Sequence, residues 1–242
     1  MPGKTVLMTQ GVVDEAIQGL RERIESGEFG PGSRLPPESV LAEQMHLSRL
    51  SLREAVRALV MAGVLEIRRG NGTFVTDLRP DQMMRVLGRF LELAHDSHLG
   101  ELFECRRVLE PGATALAATR IGEETLGLLH GSIERMAAMT DPELLVAEDL
   151  RFHAMIVAAT GNKTLESLAD SIAQRTVRAR IWRALVKEDV ASWTHQQHLA
   201  IYQALHARDS LAAYAAAARH VAEVENWITQ RLPAVTPAGG PS

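Results

Sequence analysis

Four side chains in the distal half of the chain have the types and spacing that hold a metal ion. Asp149 and His153 lie four residues apart, so on a helix both project from one face. Leu150, Phe152, Ile156 and Val157 accompany them and mark that helix as partly buried. His198 and His220 each stand eleven residues from Asp209. Ala207-Arg208-Asp209 reads as the tight turn of a helical hairpin, with Asp209 capping its second helix. Residues equidistant from such a turn stand at one height, here about 16 Å away at about 1.5 Å per residue. His198 and His220 can therefore face one another. One carboxylate with three imidazoles suits zinc first, with nickel or manganese as alternatives. It leaves positions for water or a ligand's carboxylate. Spacing alone does not separate this set from chance pairing. His195, one turn farther from the hairpin, competes with His198, and His46, His95, His98, His130 and His206 read as surface or loop residues.

A second constellation is built from arginines. Arg49, Arg53 and Arg57 fall at i, i+4 and i+8, near one face of a helix running to about Ala62. Ser48 is placed to cap that helix and Gly63 to close it. Leu52, Val56, Leu59 and Val60 form its apolar face. A short helix, Glu38–Met45, precedes it. Leu65–Val75 follows as a β-hairpin with a Gly-Asn-Gly tip and Arg68 and Arg69 entering the turn. Helix, turn, helix and basic hairpin make a winged helix-turn-helix, whose second helix enters the DNA major groove.

The rest of the chain must position these two groups. Its 242 residues suffice for two ordinary domains with real cores. Aromatics are only 4%, and long Ala/Leu stretches favour helices. A single cysteine, Cys105, excludes an internal disulfide and fits a reducing cytoplasm. No apolar run reaches membrane-spanning length, and no signal peptide is evident. Residues 1–76 hold nine Lys/Arg and nine Asp/Glu, so the net charge of −4 lies wholly beyond them. DNA binding therefore has to rest on where arginines sit, not on bulk charge.

In chain order we expect a loose tail over 1–10, the winged domain over 11–76 and a linker at 77–80. An all-helical domain of about seven helices fills 81–231, and a disordered Pro/Gly/Ala-rich tail covers 232–242. Pro111 should bend the helix from about Leu99 to Thr119. Asp141-Pro142 should start the helix carrying Asp149, and Lys163–Val186 reads as one long helix. Its late cluster, Arg175, Arg178, Arg180 and Arg183, reads as a solvated or dimer-facing surface, with room for one member to line a cavity. The fold class is mainly α.

Both halves resemble one family. Gly32, Leu35-Pro36-Pro37-Glu38, Leu41-Ala42, Ser48-Arg49, Arg53-Glu54-Ala55, Leu59, Gly63 and Arg68–Val75 resemble the winged helix-turn-helix of GntR-family transcription regulators. Glu104–Pro111, Asp149–His153, Gly161-Asn162, His198 and His220 resemble the FadR-type FCD ligand-binding domain. The resemblance implies that Arg49 and Arg53 read bases, that Ser48 and Ser51 meet phosphate or base, and that Arg69 and Gly70 form the wing tip. Arg34 is implied as a phosphate contact. Asp149, His153, His198 and His220 are implied as metal ligands. Arg106 would pair with an effector carboxylate, the alternative being an ion pair with Glu110. Two departures stand out: Ser39 where many members carry an arginine, and Leu50 where a small polar residue is common. Leu50 suits a thymine methyl.

These readings converge on a ligand-responsive regulator. It would bind a near-palindromic double-stranded DNA operator as a homodimer and sense a small organic acid at a metal site. A metal-dependent enzyme is the rival, and a purely structural metal the third reading. Against an enzyme, no His-Glu-x-x-His motif occurs, and within the helical domain only Glu92–His95 resembles a di-iron pair.

Overall fold

The structure is a computed structural model, and it describes residues 3–91, 99–186 and 190–230. Among these, eleven helices and one two-stranded antiparallel sheet alternate with short turns. The chain divides into two compact units between Leu87 and Gly88.

In the first unit, helix α1 spans Gly3–Glu25. The tail expected over 1–10 is thus helical from Gly3. No proline interrupts Gly3–Glu25, and each added residue extends the hydrogen-bond ladder. Helices α2, Glu38–Gln44, and α3, Arg49–Met61, form the helix-turn-helix. His46, in the turn between them, takes a left-handed φ of 55°. Ser48 caps α3: its Oγ accepts the amide of Ser51 at 3.0 Å. Gly63 follows the C-cap at φ +75°, a conformation glycine adopts without strain. Strands β1, Leu65–Arg68, and β2, Gly72–Val75, pair with Leu65 opposite Val75 and Arg68 opposite Gly72. The core joins Ala16 and Leu20 of α1, Leu41, Leu52, Val56 and Leu59 of the motif, and Leu65 and Val75 of the wing. Each such large side chain contributes about 1.5–3 kcal/mol by leaving water. The wing is thereby tied to α3 through the same core that positions the helix.

Helix α4, Pro80–Leu91, crosses the division between the units. The linker expected at 77–80 therefore does not end the first unit. The first half of α4 stays with it, since the Val86 side chain lies about 3.3 Å from where a Gly63 Cβ would stand.

The second unit contains α5 (Leu99–Ala118), α6 (Glu123–Ala138), α7 (Pro142–Ala158), α8 (Lys163–Arg175), α9 (Val177–Val186), α10 (Val190–His206) and α11 (Ser210–Thr229). With α4 they make eight over the span where about seven were expected, the extra one coming from the division of Lys163–Val186. Asp141 caps α7 by accepting the amides of Glu143 and Leu144. Asp209 caps α11 through Leu211 and Ala212, and Arg208 at φ 58° makes the tight α10–α11 turn. Phe152 and Ile156 of α7 pack with Ile201 and Leu205 of α10, and with Ala213 and Ala217 of α11. Small alanines on α11 let α10 approach closely. α5 runs on through Pro111 without interruption.

The long helix expected over Lys163–Val186 is instead two. At Thr176 both the amide and Oγ1 donate to the Ala173 carbonyl, at 3.1 and 2.9 Å. This bond to the third residue back replaces the helical one to the fourth and breaks the ladder. The Pro/Gly/Ala-rich tail expected over 232–242 and the Glu92–His95 pair lie outside the described residues.

Candidate metal centre and nucleic-acid interface

α7, α10 and α11 each present part of one polar cluster. Asp149 and His153 share the inner face of α7, one turn apart. His198 comes from α10 and His220 from α11, with ring centroids 4.8 Å apart. The hairpin symmetry expected from Asp209 holds. One ligand atom from each of Asp149, His153, His198 and His220 lies within 4.8 Å of the others. His195, the rival, does not join them. Asp149, His198 and His220 are buried, and His153 nearly so. Phe152 stacks on the His198 ring at 4.4 Å and walls the cluster on one side.

The ring nitrogens meet at close range. His153 Nε2 and His220 Nε2 are 3.1 Å apart. Two donors on one zinc ion stand about 3.0–3.4 Å apart, given bonds of about 2.0–2.1 Å. His198 Nε2 lies 3.0 Å from Asp149 Oδ1 but out of line for a hydrogen bond, so both its ring nitrogens are buried without a partner. The widest separation slightly exceeds the roughly 4.2 Å that opposite ligands on one ion span, so closing onto an ion takes small side-chain rotations.

A further layer fixes the imidazoles. Gln197 Oε1 lies 2.8 Å from His220 Nδ1, and Gln197 Nε2 donates in turn to Glu223. Glu110 Oε2 lies 3.8 Å from His153 Nδ1. Gln197 favours the proton on His220 Nδ1 and leaves its Nε2 free as a ligand, while His153 stands between two carboxylates, with Asp149 Oδ1 3.7 Å from its Nε2. Burial lowers the pKa of all three histidines, His153 to about 4 and His198 and His220 well below the usual value. Glu110 is ionised. Burial opposes this, but the Arg106 charge and hydrogen bonds outweigh it and bring its pKa down to about 2. Neutral imidazoles and ionised carboxylates are the ligand forms, so the cluster can hold a divalent ion.

Arg106 faces Glu110, not open space. Its Nε and Nη2 donate to the two Glu110 oxygens at 2.5 and 3.3 Å, and Nη1 reaches Thr176 Oγ1 at 3.5 Å. Its fork, expected to await an effector carboxylate, is taken. Arg180 pairs with Asp149. Arg180 and Arg183 are buried, which corrects the reading of this stretch as a surface. α9 instead turns Trp182, Leu185 and Val186 outward. Gln197 is the site-side residue that sequence reasoning passed over; Glu110 entered only as the alternative partner of Arg106, and Arg180 and Arg183 as members of a cluster of which one could line a cavity. Gln197 was signalled by its place beside His198, and Glu110 by its i,i+4 spacing from Arg106.

In the first unit, Ser48, Arg49, Leu50, Arg53 and Arg57 are exposed along α3. Arg53 reaches Glu38 at 3.3 Å and Arg57 reaches Glu54 at 2.9 Å. Arg49 has no ion-pair partner among the described residues. Ser51 was expected at the DNA; it is buried, and its hydroxyl lies 2.8 Å from that of Ser48. Capping α3 draws it inward. At the wing, Asn71 donates to the Arg68 carbonyl at 2.8 Å, with Arg69 and Gly70 at the tip and Gly70 at φ +74°. Arg68 is held over the Phe74 ring at 4.2 Å. Arg69 is exposed beyond it. Arg34 bridges to Phe74, and its Nε lies 2.9 Å from where a Gly72 Cβ would stand, so its guanidinium rests on the wing.

Comparison with known proteins covers both units. Residues 12–75 match the family model described as bacterial regulatory proteins, gntR family, and residues 101–223 match the FCD domain. The chain belongs to the GntR family. The HTH-type transcriptional regulator LutR of Bacillus subtilis (strain 168) is 31% identical over 212 residues, which is 85% of this chain and 96% of that protein. The galactonate operon transcriptional repressor of Escherichia coli (strain K12) is 30% identical over 235 residues, 95% of this chain and 100% of that protein. Among solved structures, Streptococcus agalactiae GntR aligns with a TM-score of 0.57 at 30% identity, over 89% of this chain and 99% of that one. This GntR-family chain is thus a transcription regulator and not an enzyme, with a DNA-binding helix-turn-helix and an FCD effector-binding domain. None of its described helices is long and apolar enough to cross a membrane.

Proposed function

We propose that this regulator binds a near-palindromic operator as a homodimer and releases or tightens it when a small carboxylate reaches a metal held by Asp149, His153, His198 and His220. The observation that carries the sensing half is the meeting of four ligand atoms within 4.8 Å. An outer partner, Gln197, sets the His220 tautomer. A zinc ion, or nickel or manganese in its place, would supply open coordination positions that bind a carboxylate. Arg106 acts through Glu110, holding it ionised so that it orients His153. The relative named for a galactonate operon supports an organic acid as the effector class.

On the DNA side, Arg49 and Arg53 read base edges from the start of α3. Arginine takes guanine O6 and N7 through two bonds. Arg53 leaves Glu38 to do so, at little cost, because exposed ion pairs contribute about 0–1 kcal/mol. Ser48, Arg34, Arg69 and Gly70 meet the backbone and the wing-side groove. Leu50, 63% exposed, fits a thymine methyl. Two winged units in one dimer set the symmetry and half-site spacing.

A thermal-shift screen of small carboxylates, run with and without added zinc, tests the sensing half. Stabilisation that requires both components is the expected result. Carboxylates that stabilise the metal-free protein equally would remove the metal from the sensing role. A purely structural metal is the second reading, favoured by the narrowness of the adjoining crevice, about 20 Å³. In that case metal removal melts the helical unit, and no carboxylate adds to the stability of the metal-loaded form.

A further inference from the structure

Arg183 differs from the other buried arginines of the helical unit. Arg106 gives its Nε and Nη2 edge to Glu110, and Arg180 gives Nη2 to Asp149. Arg183 is 5% exposed, yet its Nε and Nη2 both lack a hydrogen-bond partner among the described residues. Those two nitrogens form one edge of the guanidinium, the fork that takes a carboxylate through two parallel bonds. Leaving such an edge buried and unpaired is unfavourable, and a ligand carboxylate would satisfy it. Glu223 is the carboxylate whose charge reaches Arg183, but it accepts a hydrogen bond from Gln197, lies 3.6 Å from Arg219 and makes no ion pair with Arg183. Trp193 backs the guanidinium at 5.8 Å from Cζ to ring centroid.

Arg183 stands on the metal-site side of the helical unit. Arg183, Arg180, Asp149, Thr194 and His220 line one crevice.

We propose that the effector is a short dicarboxylate, with one carboxylate at the Asp149–His153–His198–His220 cluster and the other on the Nε/Nη2 edge of Arg183. This rests on the carboxylate-sensing reading above and names its ligand class. The crevice, about 20 Å³, holds about one water molecule. Seating a four-carbon acid therefore moves a wall. α9 is the wall that carries the anchoring guanidinium, and it begins at the helix break after Thr176.

Isothermal titration of the zinc-loaded full-length protein tests this, with succinate and glutarate against butyrate and valerate, their one-ended counterparts of equal length. The better-fitting diacid should bind about tenfold or more tighter than its monoacid, as expected for a charged, two-bond contact. Arg183→Gln should bring that ratio to about two or less. Monoacids that bind wild type as tightly as diacids would overturn the assignment and leave carboxylate sensing standing. A preserved ratio in Arg183→Gln would also overturn it. Failure of every acid to bind a protein that retains zinc would overturn both readings. Should Arg183→Gln not fold, Arg183→Lys keeps the charge without the fork and should lower the ratio, and the wild-type comparison decides by itself.

Discussion

Arginine faces outward in the winged unit and inward in the helical unit. Arg34, Arg49 and Arg69 are exposed and unpaired among the described residues, and Arg53 and Arg57 hold only exposed partners. Arg106 and Arg180 are buried against Glu110 and Asp149. An exposed pair contributes about 0–1 kcal/mol and yields readily to a phosphate or base edge. A buried pair cannot lose its cation without stranding a bare carboxylate. One residue type thus provides a removable contact in one unit and a fixed scaffold in the other. This also explains how a unit with no net positive charge can address DNA: what counts is which guanidinium groups are free.

Substitutions can break that contrast, the largest effect coming from the buried side. Arg106→Leu leaves Glu110 buried without its partner and should cost the helical unit about 3–5 kcal/mol. Urea unfolding followed by circular dichroism reads this; a loss under about 1 kcal/mol would mean the pair is not acting as a scaffold. Arg49→Ala should leave unfolding unchanged and weaken specific operator binding by about 1–3 kcal/mol, with non-specific DNA binding less affected. A normal footprint from that variant would end the base-reading role. Ser48→Ala removes the α3 cap and should lower stability by about 1 kcal/mol, moving the Ser51 hydroxyl out of its inward contact. The smallest effect belongs to Arg57→Ala. Its exposed pair with Glu54 should be worth about 0.5 kcal/mol or less, and a larger destabilisation would contradict the reading of exposed arginines as free to leave their partners.

Much of the molecule was legible in its sequence where one local rule decides. Ser48, Asp141 and Asp209 cap helices as their types and places require. The hairpin turn at Arg208 and Asp209 brings His198 opposite His220, because equal distance from a tight turn fixes height. Three features were not legible. The break at Thr176 depends on a side-chain hydroxyl competing for the Ala173 carbonyl, which helical periodicity does not register. The inward turn of Arg180 and Arg183 reverses the usual pattern, since α9 leaves Leu185 66% and Val186 56% exposed while its arginines are buried. A reading that assigns apolar residues to the core must place α9 the wrong way round. Ser51 was misread because cap chemistry and DNA contact both ask for a hydroxyl, and only packing tells them apart.

The central claim is that Asp149, His153, His198 and His220 are assembled as a metal site. Metal analysis of the purified full-length protein by plasma mass spectrometry, paired with the His198→Ala variant, addresses it most directly. Near one zinc, nickel or manganese ion per chain in the wild type, and its loss in a variant that still folds, is the result expected. Wild-type protein that takes up no ion even after incubation with all three metals, or a variant that keeps its ion undiminished, would contradict the account.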